Sequence, residues 1–317
     1  MKPYIELKKM KNTWLGSVVG VVLGGTAVWG YLGYSGQSTA TATVQQLKTT
    51  QQSSESKKSS FLSQDLVDAR LNELSFKEVM RLFYKDNMRN VFVNEGELET
   101  QNFVAIGSPD EAGENTVAIM HPIINYRNVE GEARFLVLIE KIQVMENGSM
   151  VSCHACVGSL DLYSFKKLTN GQFQVVSKSR PEQEYGGSYG RVHVDREQIL
   201  NNMQPIGKKL IGSFYQSGYT STGETSSSWN VIHLPEDDFI GAYGVAEAAG
   251  DNAGNYEPES PLYFSFDSTI QIIDNGKKYF PIQVSYSGEK PNADYSSIEP
   301  TNQQLIVNYN PEKKEYQ

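Results

Sequence analysis

The sequence is poor in side chains that bind zinc, with only two cysteines and four histidines among 317 residues. A zinc knuckle needs two ligands besides the cysteines, and the histidines, at positions 121, 154, 193 and 233, never follow the H-x₃₋₅-H spacing of zinc fingers. The sequence also lacks an internal repeat, which excludes the blade periodicity of a β-propeller. A zinc finger and a repeat architecture are therefore not predicted.

Positive charge is scarce outside the first sixty residues. The net charge is −9, with +3 on residues 1–34 and +2 on residues 35–60, so residues 61–317 carry −14. A domain this acidic lacks the basic surface that binds nucleic acid, and anionic lipid headgroups would repel it. Solubility is the simplest explanation of the acidity, and cationic partners or divalent ions are the alternative.

Charge is missing altogether between Asn12 and Lys48, and the first part of this stretch, residues 13–34, is apolar enough to lie in lipid. At about 1.5 Å per residue, a helix of this length spans a bilayer core of about 30 Å. Four lysines and one glutamate precede it, and Trp14 and Trp29 stand near its two ends. The pattern predicts a single-pass protein of the bacterial inner membrane, with a cytoplasmic N-terminus and a periplasmic or extracellular main domain.

A cleavable signal peptide is the alternative to this anchor, because Ala40-Thr41-Ala42 has the small residues that a signal peptidase prefers. The apolar region of a signal peptide is typically about 7–15 residues, and cleavage follows it closely. Here the apolar run is longer and the alanine-rich site is displaced from it. A retained transmembrane helix is therefore the preferred interpretation.

Within that helix, Gly16, Gly20 and Gly24 recur every fourth residue and share one face. A glycine face lets two helices approach closely in lipid, although glycine is also common in membrane helices generally. The pattern predicts helix packing, either by self-association or with another envelope protein.

The composition divides the chain into four parts. Residues 35–60 are mostly Ser, Thr, Gln and Ala without an aromatic residue, which is typical of a flexible linker. The predicted parts are a cytoplasmic tail at 1–12, a transmembrane helix at 13–34, the linker at 35–60 and one exported domain at 61–317.

The exported domain is predicted to begin with a helix and to continue as strands. Ser75 and Glu78 form an S-x-x-E capping box ahead of apolar residues at helical spacing. Beyond Asn90 the apolar residues alternate, and three Asn-Gly pairs lie beside strand-like runs, as in tight hairpins. Strands are predicted at Phe103–Ile106, Thr116–Ile124, Phe135–Met145, Leu160–Leu168, Phe173–Val176, Lys209–Tyr215, Trp229–Leu234, Ile270–Ile273, Phe280–Tyr286 and Leu305–Tyr309. The fold class is mainly β (α+β), an antiparallel meander or sandwich with an N-terminal helix.

The motif Cys153-His154-Ala155-Cys156 contains both cysteines. Haem attachment requires a histidine directly after the second cysteine, where Val157 stands. A thioredoxin-like centre has its first cysteine at a helix N-terminus, whereas this motif follows a hairpin turn and precedes a strand. Because an exported domain lies in an oxidising compartment, the motif predicts a structural disulfide between Cys153 and Cys156. Redox-active, metal-binding and free thiols are the alternatives.

Two further motifs resemble catalytic or nucleotide-binding loops. Gly186–Gly190 has the G-x-S-x-G spacing of a serine-hydrolase elbow around Ser188, but the elbow needs a following helix and this sequence continues like a strand. Gly218–Thr225 has P-loop spacing, but Glu224 occupies the position of the phosphate-binding lysine. We therefore predict no catalytic residue and no cofactor.

An acidic loop offers weak candidates for a calcium site. Asp251, Asn255, Glu257 and Glu259 fall at even intervals, and calcium loops use oxygen ligands at alternate positions. The EF-hand order fails because Ala253 occupies the third position. A solvated acidic loop is the simpler interpretation, and no metal site is predicted with these residues.

Three segments together resemble a group of uncharacterised bacterial exported proteins: the Cys-His-Ala-Cys segment 153–156 before a strand, the Gly-Ser-Tyr-Gly turn 187–190 and the Asp-Asn-Ala-Gly loop 251–254. The resemblance covers roughly residues 151–287 and implies a shared β-rich fold. The group has a tryptophan where Tyr189 stands and a further cysteine after the Asp-Asn loop, and this sequence has neither.

These observations predict a membrane-anchored envelope protein whose acidic β-rich domain binds or scaffolds another envelope component. The alternatives are a thiol–disulfide redox protein that uses Cys153 and Cys156, and a calcium-stabilised binding module.

Overall fold

Two antiparallel sheets dominate a computed structural model of the chain, which describes residues 61–85, 87–94, 102–181, 183, 185–192 and 195–317. These residues fall within a single compact unit. The predicted tail, transmembrane helix and linker, with the glycines at 16, 20 and 24, lie outside the described residues. In the part of the chain that is described, no helix combines the length and the apolar character needed to cross a bilayer.

The first sheet has seven strands, and each pair of neighbours is antiparallel. Its strands are β1 (Met88–Phe92), β2 (Asn102–Ile106), β3 (Asn115–Met120), β4 (Ile124–Arg127), β5 (Ala133–Val144), β6 (Ser159–Lys167) and β7 (Phe173–Lys178). The spatial order is β1-β2-β3-β5-β6-β7, and β4 pairs with β5 beyond the end of β3. The strand predicted at 116–124 is confirmed as far as Met120, but its continuity to Ile124 is wrong, because a second strand begins there. The ladder is interrupted at Pro122, which has no N–H to donate.

Short elements pack beside the two large sheets. They are the helices α1 (Gln64–Asp68), α2 (Phe76–Tyr84) and α3 (Arg196–Asn201), and the small hairpin of β8 (Gly187–Ser188) and β9 (Arg191–Val192). Helix α2 begins after Ser75, whose side chain accepts a hydrogen bond from the Glu78 N–H. Helix α3 begins after Asp195, whose carboxylate accepts the Glu197 N–H at 2.7 Å.

The second sheet has eight strands and follows the chain almost in order. Its strands are β10 (Met203–Gly207), β11 (Leu210–Ser221), β12 (Glu224–Leu234), β13 (Gly241–Asp251), β14 (Ser265–Ile272), β15 (Ile282–Pro291), β16 (Ile298–Pro300) and β17 (Gln304–Val307). A separate small hairpin follows, formed by β18 (Tyr309–Asn310) and β19 (Glu315–Tyr316). Both large sheets are antiparallel, so the predicted mainly β, antiparallel architecture is confirmed.

The central strand β5 is buried on both of its faces. Successive side chains of a strand point to opposite faces, so Leu136 and Leu138 pack in a core shared with the second sheet, while Val137 and Ile139 pack in a core shared with helix α2. Burial on both sides explains why the run is continuously apolar instead of alternating.

Strand β12 alternates in the same way and thereby orients the candidate site. Ile232 and Leu234 belong to the core between the sheets. Val231 packs in a different core on the opposite face of the second sheet, and His233 shares its side of the strand. The aromatic residues described next lie on this outer face.

Candidate functional site

The outer face of the second sheet contains a cavity of about 350 Å³. Five aromatic residues line it: His233, Phe239, Tyr243, Tyr279 and Tyr309. Binding sites for small molecules typically enclose about 300–1,000 Å³ and are lined mainly by apolar and aromatic side chains. The cavity thus has the size and the lining of a small-ligand site.

The register between β12 and β13 positions two of these residues. His233 on β12 pairs directly with Gly241 on β13, and Tyr243 lies two residues further along β13. A β-carbon added to Gly241 would meet the hydroxyl group of Tyr243. The absence of a side chain at position 241 therefore gives the Tyr243 ring its place in the wall.

His233 is the buried centre of the aromatic wall, with only 4% of its surface exposed. Its ring centroid lies 4.6 Å from that of Tyr243 and 4.7 Å from that of Tyr309, and its Nε2 lies 2.8 Å from the Tyr316 hydroxyl oxygen. Burial, followed by the positive charge of Arg180, lowers the pKa of His233 to about 3. The imidazole is therefore neutral at pH 7 and contributes a ring surface and a hydrogen bond, not a charge.

The hydroxyls of Tyr309 and Tyr316 stay protonated. Burial, followed by the neighbouring Tyr243 hydroxyl, raises the pKa of Tyr309 above its ordinary value. Burial also raises the pKa of Tyr316. Tyr309 lines the cavity, so its hydroxyl can donate a hydrogen bond to a ligand, and neither group is a phenolate that acts as a nucleophile at neutral pH.

Charged side chains also line the cavity: three lysines, Lys208, Lys209 and Lys278, and two aspartates, Asp237 and Asp238. All five are exposed. The Lys278 ammonium lies 5.3 Å from the Tyr279 ring centroid. Interaction with Tyr279, and then the charges of Asp237 and Asp238, raise the pKa of Lys278. The lining carries a net charge of +1 in a domain that carries −14.

The structure brings together two motifs that are separate in the sequence, the Cys-His-Ala-Cys segment and the glycine-rich turn. Cys153 and Cys156 are joined by a disulfide, which fits the predicted structural bridge. The Tyr189 N–H donates to the Cys153 carbonyl at 3.0 Å, and the Gly190 N–H donates to the Cys156 carbonyl at 2.9 Å. The disulfide loop therefore packs on the turn between β8 and β9.

Ser188 lies in the β8–β9 hairpin. No helix follows it directly, so this described segment lacks the geometry of a nucleophile elbow. Gly190 has a φ of +77°, and a β-carbon there would meet the Val151 carbonyl oxygen. The glycine-rich motif is thus explained by a tight turn and a close backbone contact.

Glu140 anchors the β8–β9 hairpin to the first sheet. Its carboxylate accepts two hydrogen bonds from Arg191, at 2.8 and 2.9 Å, one from the Val192 N–H at 3.0 Å, and lies 2.9 Å from His121 Nε2. Burial alone would raise the pKa of Glu140, but these hydrogen bonds outweigh it and lower the pKa to about 2. Only 1% of Glu140 is exposed, so this ion pair holds the hairpin from below.

The acidic loop packs against the segment with P-loop spacing. The Asn255 amide donates to the Thr222 carbonyl at 2.8 Å, and the Gly254 N–H donates to the Gly223 carbonyl at 3.0 Å. The Asp251 carboxylate accepts the Ala253 N–H at 3.1 Å. Among the described residues, no three His, Cys, Asp or Glu side chains gather as a metal site. The calcium-stabilised module stays a prediction.

Known proteins give no further guidance: no family model matches the sequence, no curated protein is significantly similar to it, and no solved structure matches its fold. The resemblance to bacterial exported proteins stays a prediction.

Neither the cavity nor the role of Glu140 was predicted from the sequence. The cavity tyrosines span more than sixty residues of the sequence, so only the folded arrangement of the strands brings them together. Two signals were present nevertheless. His233 and Glu140 each interrupt or end an apolar run, at Val231–Leu234 and Leu136–Glu140, where a polar side chain needs a specific partner.

Proposed function

We propose that the chain is a membrane-anchored envelope protein whose β-rich domain binds a small ring-bearing anion in the aromatic cavity. The ligand class comprises carboxylated or phosphorylated sugars and aromatic acids, which share an apolar ring face and a negative group. The observation that carries the proposal is an aromatic wall combined with a lysine-rich rim in a strongly acidic domain.

The wall favours a ring. Tyrosine rings bury large apolar faces against a ligand and keep a hydroxyl for hydrogen bonding. Tyr243, Tyr279 and Tyr309 provide such faces together with His233. The neutral His233 keeps the wall free of charge, so a ring can stack there without leaving an unpaired ion buried.

The rim favours an anion over a cation. No lysine of the lining forms an ion pair with another described residue. Asp237 and Asp238 act on Lys278 through their charges, and the other two lysines are Lys208 and Lys209. Both are exposed at the rim, where they can meet a carboxylate or a phosphate. A quaternary ammonium could contact the same rings by cation–π interaction, but the positive charges of the rim lysines disfavour it.

The lining favours binding over acyl-transfer catalysis. Among the described residues that line the cavity there is no serine, threonine or cysteine to act as a nucleophile. The Nε2 of His233 is engaged by Tyr316. A neutral, occupied imidazole without a neighbouring nucleophile supports the choice of a binding module.

Ligand-observed saturation-transfer NMR on the full-length chain tests the proposal. The probes are two matched pairs, glucuronate with glucose and benzoate with benzyl alcohol. The members of each pair differ in the carboxylate, and the two anions differ in their rings. We expect transfer to at least one anion and weaker transfer to its uncharged counterpart. Replacement of Tyr309 by Leu should abolish the signal.

A double substitution, Lys208→Gln with Lys209→Gln, should reduce binding of the anion to the level of the uncharged probe. The matched control is Lys77→Gln with Lys85→Gln, which removes the same charge from exposed lysines elsewhere. Equal binding within both probe pairs, or equal losses in the two double variants, would contradict a rim that selects anions.

A further inference from the structure

We propose a second binding site, for a neutral polysaccharide chain, in a groove of about 580 Å³ between the β11–β12 hairpin and the loop after β15. The groove shares no lining residue with the aromatic cavity. This inference therefore stands apart from the function proposed above.

Two exposed tyrosines flank the groove. Tyr219 on β11 is 64% exposed and Tyr295, after β15, is 79% exposed. Tyrosine usually buries most of its ring in a folded protein, so two exposed rings along one groove offer free stacking faces. The apolar faces of sugar rings are suited to such surfaces. Both tyrosines line the same groove, so one sugar chain that fills it contacts both.

The backbone holds Tyr295 in this position. Its φ is +58°, in the left-handed region that a residue with a β-carbon rarely adopts. The Tyr295 N–H donates to the Asn292 carbonyl at 3.0 Å, and the Asn292 side chain accepts the Ser296 N–H at 2.9 Å. These bonds fix the turn and keep the Tyr295 ring in solvent.

Hydroxyl groups complete the chemistry of the groove. Ser221, Thr222 and Ser226 line it, and their side-chain hydroxyls have no hydrogen-bond partner among the described residues. Groups of this kind can donate to and accept from the hydroxyls of a sugar chain.

The charges of the groove favour a neutral chain. Glu247 and Lys290 form an ion pair, and the Lys290 ammonium also lies 4.3 Å from the Phe266 ring centroid. Glu224 is then the remaining charge among the lining residues. A polyanion would meet this carboxylate without a free cation, whereas an uncharged polysaccharide meets no such penalty.

Isothermal titration calorimetry on the full-length chain tests the site, with cellohexaose and chitohexaose as neutral probes and a hexamer of galacturonate as the anionic probe. We expect at least one neutral hexasaccharide to bind and the anionic one to bind more weakly. Tyr219→Ala and Tyr295→Asn should each weaken binding about tenfold, the scale of one aromatic contact. Asparagine tolerates the left-handed conformation, so Tyr295→Asn removes the ring and keeps the turn.

The matched control is Tyr256→Ala, because Tyr256 is 38% exposed but does not line the groove. Its affinity should equal that of the unchanged chain, and thermal melts should show all three variants folded. The proposal is overturned if neither neutral probe binds at millimolar concentration, if the anionic probe binds best, or if Tyr309→Leu rather than the groove variants abolishes binding. The last outcome would place the sugar in the aromatic cavity.

Discussion

Glu140 and His233 are both buried, yet at pH 7 Glu140 is charged and His233 is neutral. Three partners hold Glu140 as a carboxylate, with a pKa of about 2, whereas burial keeps His233 neutral, with a pKa of about 3. At the scale of single residues, hydrogen-bond partners decide whether a buried group keeps its charge. Each residue consequently gives the domain a pH dependence with its own range.

The range for His233 lies between its ordinary pKa of 6.5 and about 3. Here the unfolded chain binds a proton that the folded chain excludes, so the free energy of unfolding should fall as the pH falls, by about 1.4 kcal/mol per unit. For Glu140 the folded pKa is the depressed one, so its stabilisation should be lost from 4.5 down to about 2. Urea titrations from pH 7 to pH 3 measure both.

Two variants separate these contributions. His233→Gln should remove the contribution of His233 to the slope of the unfolding free energy against pH between pH 6.5 and 4.5. Glu140→Gln should leave this part of the slope unchanged and flatten the slope below pH 4.5. A His233→Gln variant that kept the full slope would refute the assigned role of His233.

At the scale of elements, the disulfide loop and the β8–β9 hairpin form one unit that is anchored by Glu140. The Cys153–Cys156 bridge closes a loop of four residues. It does not lie at the N-terminus of a helix, a position that would lower the pKa of a thiol. The local structure therefore favours a bridge that stabilises the turn over thiol–disulfide exchange.

Replacing both cysteines by serine should lower the free energy of unfolding by about 2 kcal/mol, as the chain-entropy model gives for so short a loop. Urea denaturation measures the change, and the unchanged chain treated with a strong reductant serves as a matched control. A reduction potential of the bridge well above about −300 mV would speak for redox chemistry instead.

The sequence predicted elements well where turn chemistry was explicit. The Asn170-Gly171 hairpin joins β6 to β7, with Gly171 at a φ of +87°. The turn between β11 and β12 was missed, because Thr222 and Gly223 adopt positive φ values without an Asn-Gly signature. Strand β13 was also missed, since its many glycines and alanines have a low strand propensity that pairing with β12 and β14 overrides.

At the scale of the whole molecule, the cellular location is predicted from the sequence, whereas the candidate binding site is seen only in the structure. The cavity could not be predicted, because its wall comes from β12, β13, β18 and the segments before β13 and β15. Periodicity shows which face of a strand is buried, but not which distant strand provides the opposite wall. The envelope location itself remains a prediction from residues 13–34.

A reporter fusion tests that location. Alkaline phosphatase joined after Gln317 should be active in bacterial cells, because it folds only after export, and the fusion should remain with the membranes after an alkaline wash. Deletion of residues 13–34 should abolish the activity. An active fusion in the soluble fraction would indicate a cleaved signal peptide, and an inactive full-length fusion would contradict export.

The absence of a β-carbon at Gly241, beside the Tyr243 hydroxyl, has a consequence that genetics can test. At Gly241 an added methyl group would meet the outer end of one tyrosine side chain, and φ there is not positive, so the ring can shift while the strand keeps its path. A chromosomal Gly241→Ala allele would accordingly leave the protein at normal abundance while altering a single wall. A phenotype of that allele at normal protein abundance would report on the proposed ligand site, apart from the loss of the protein itself.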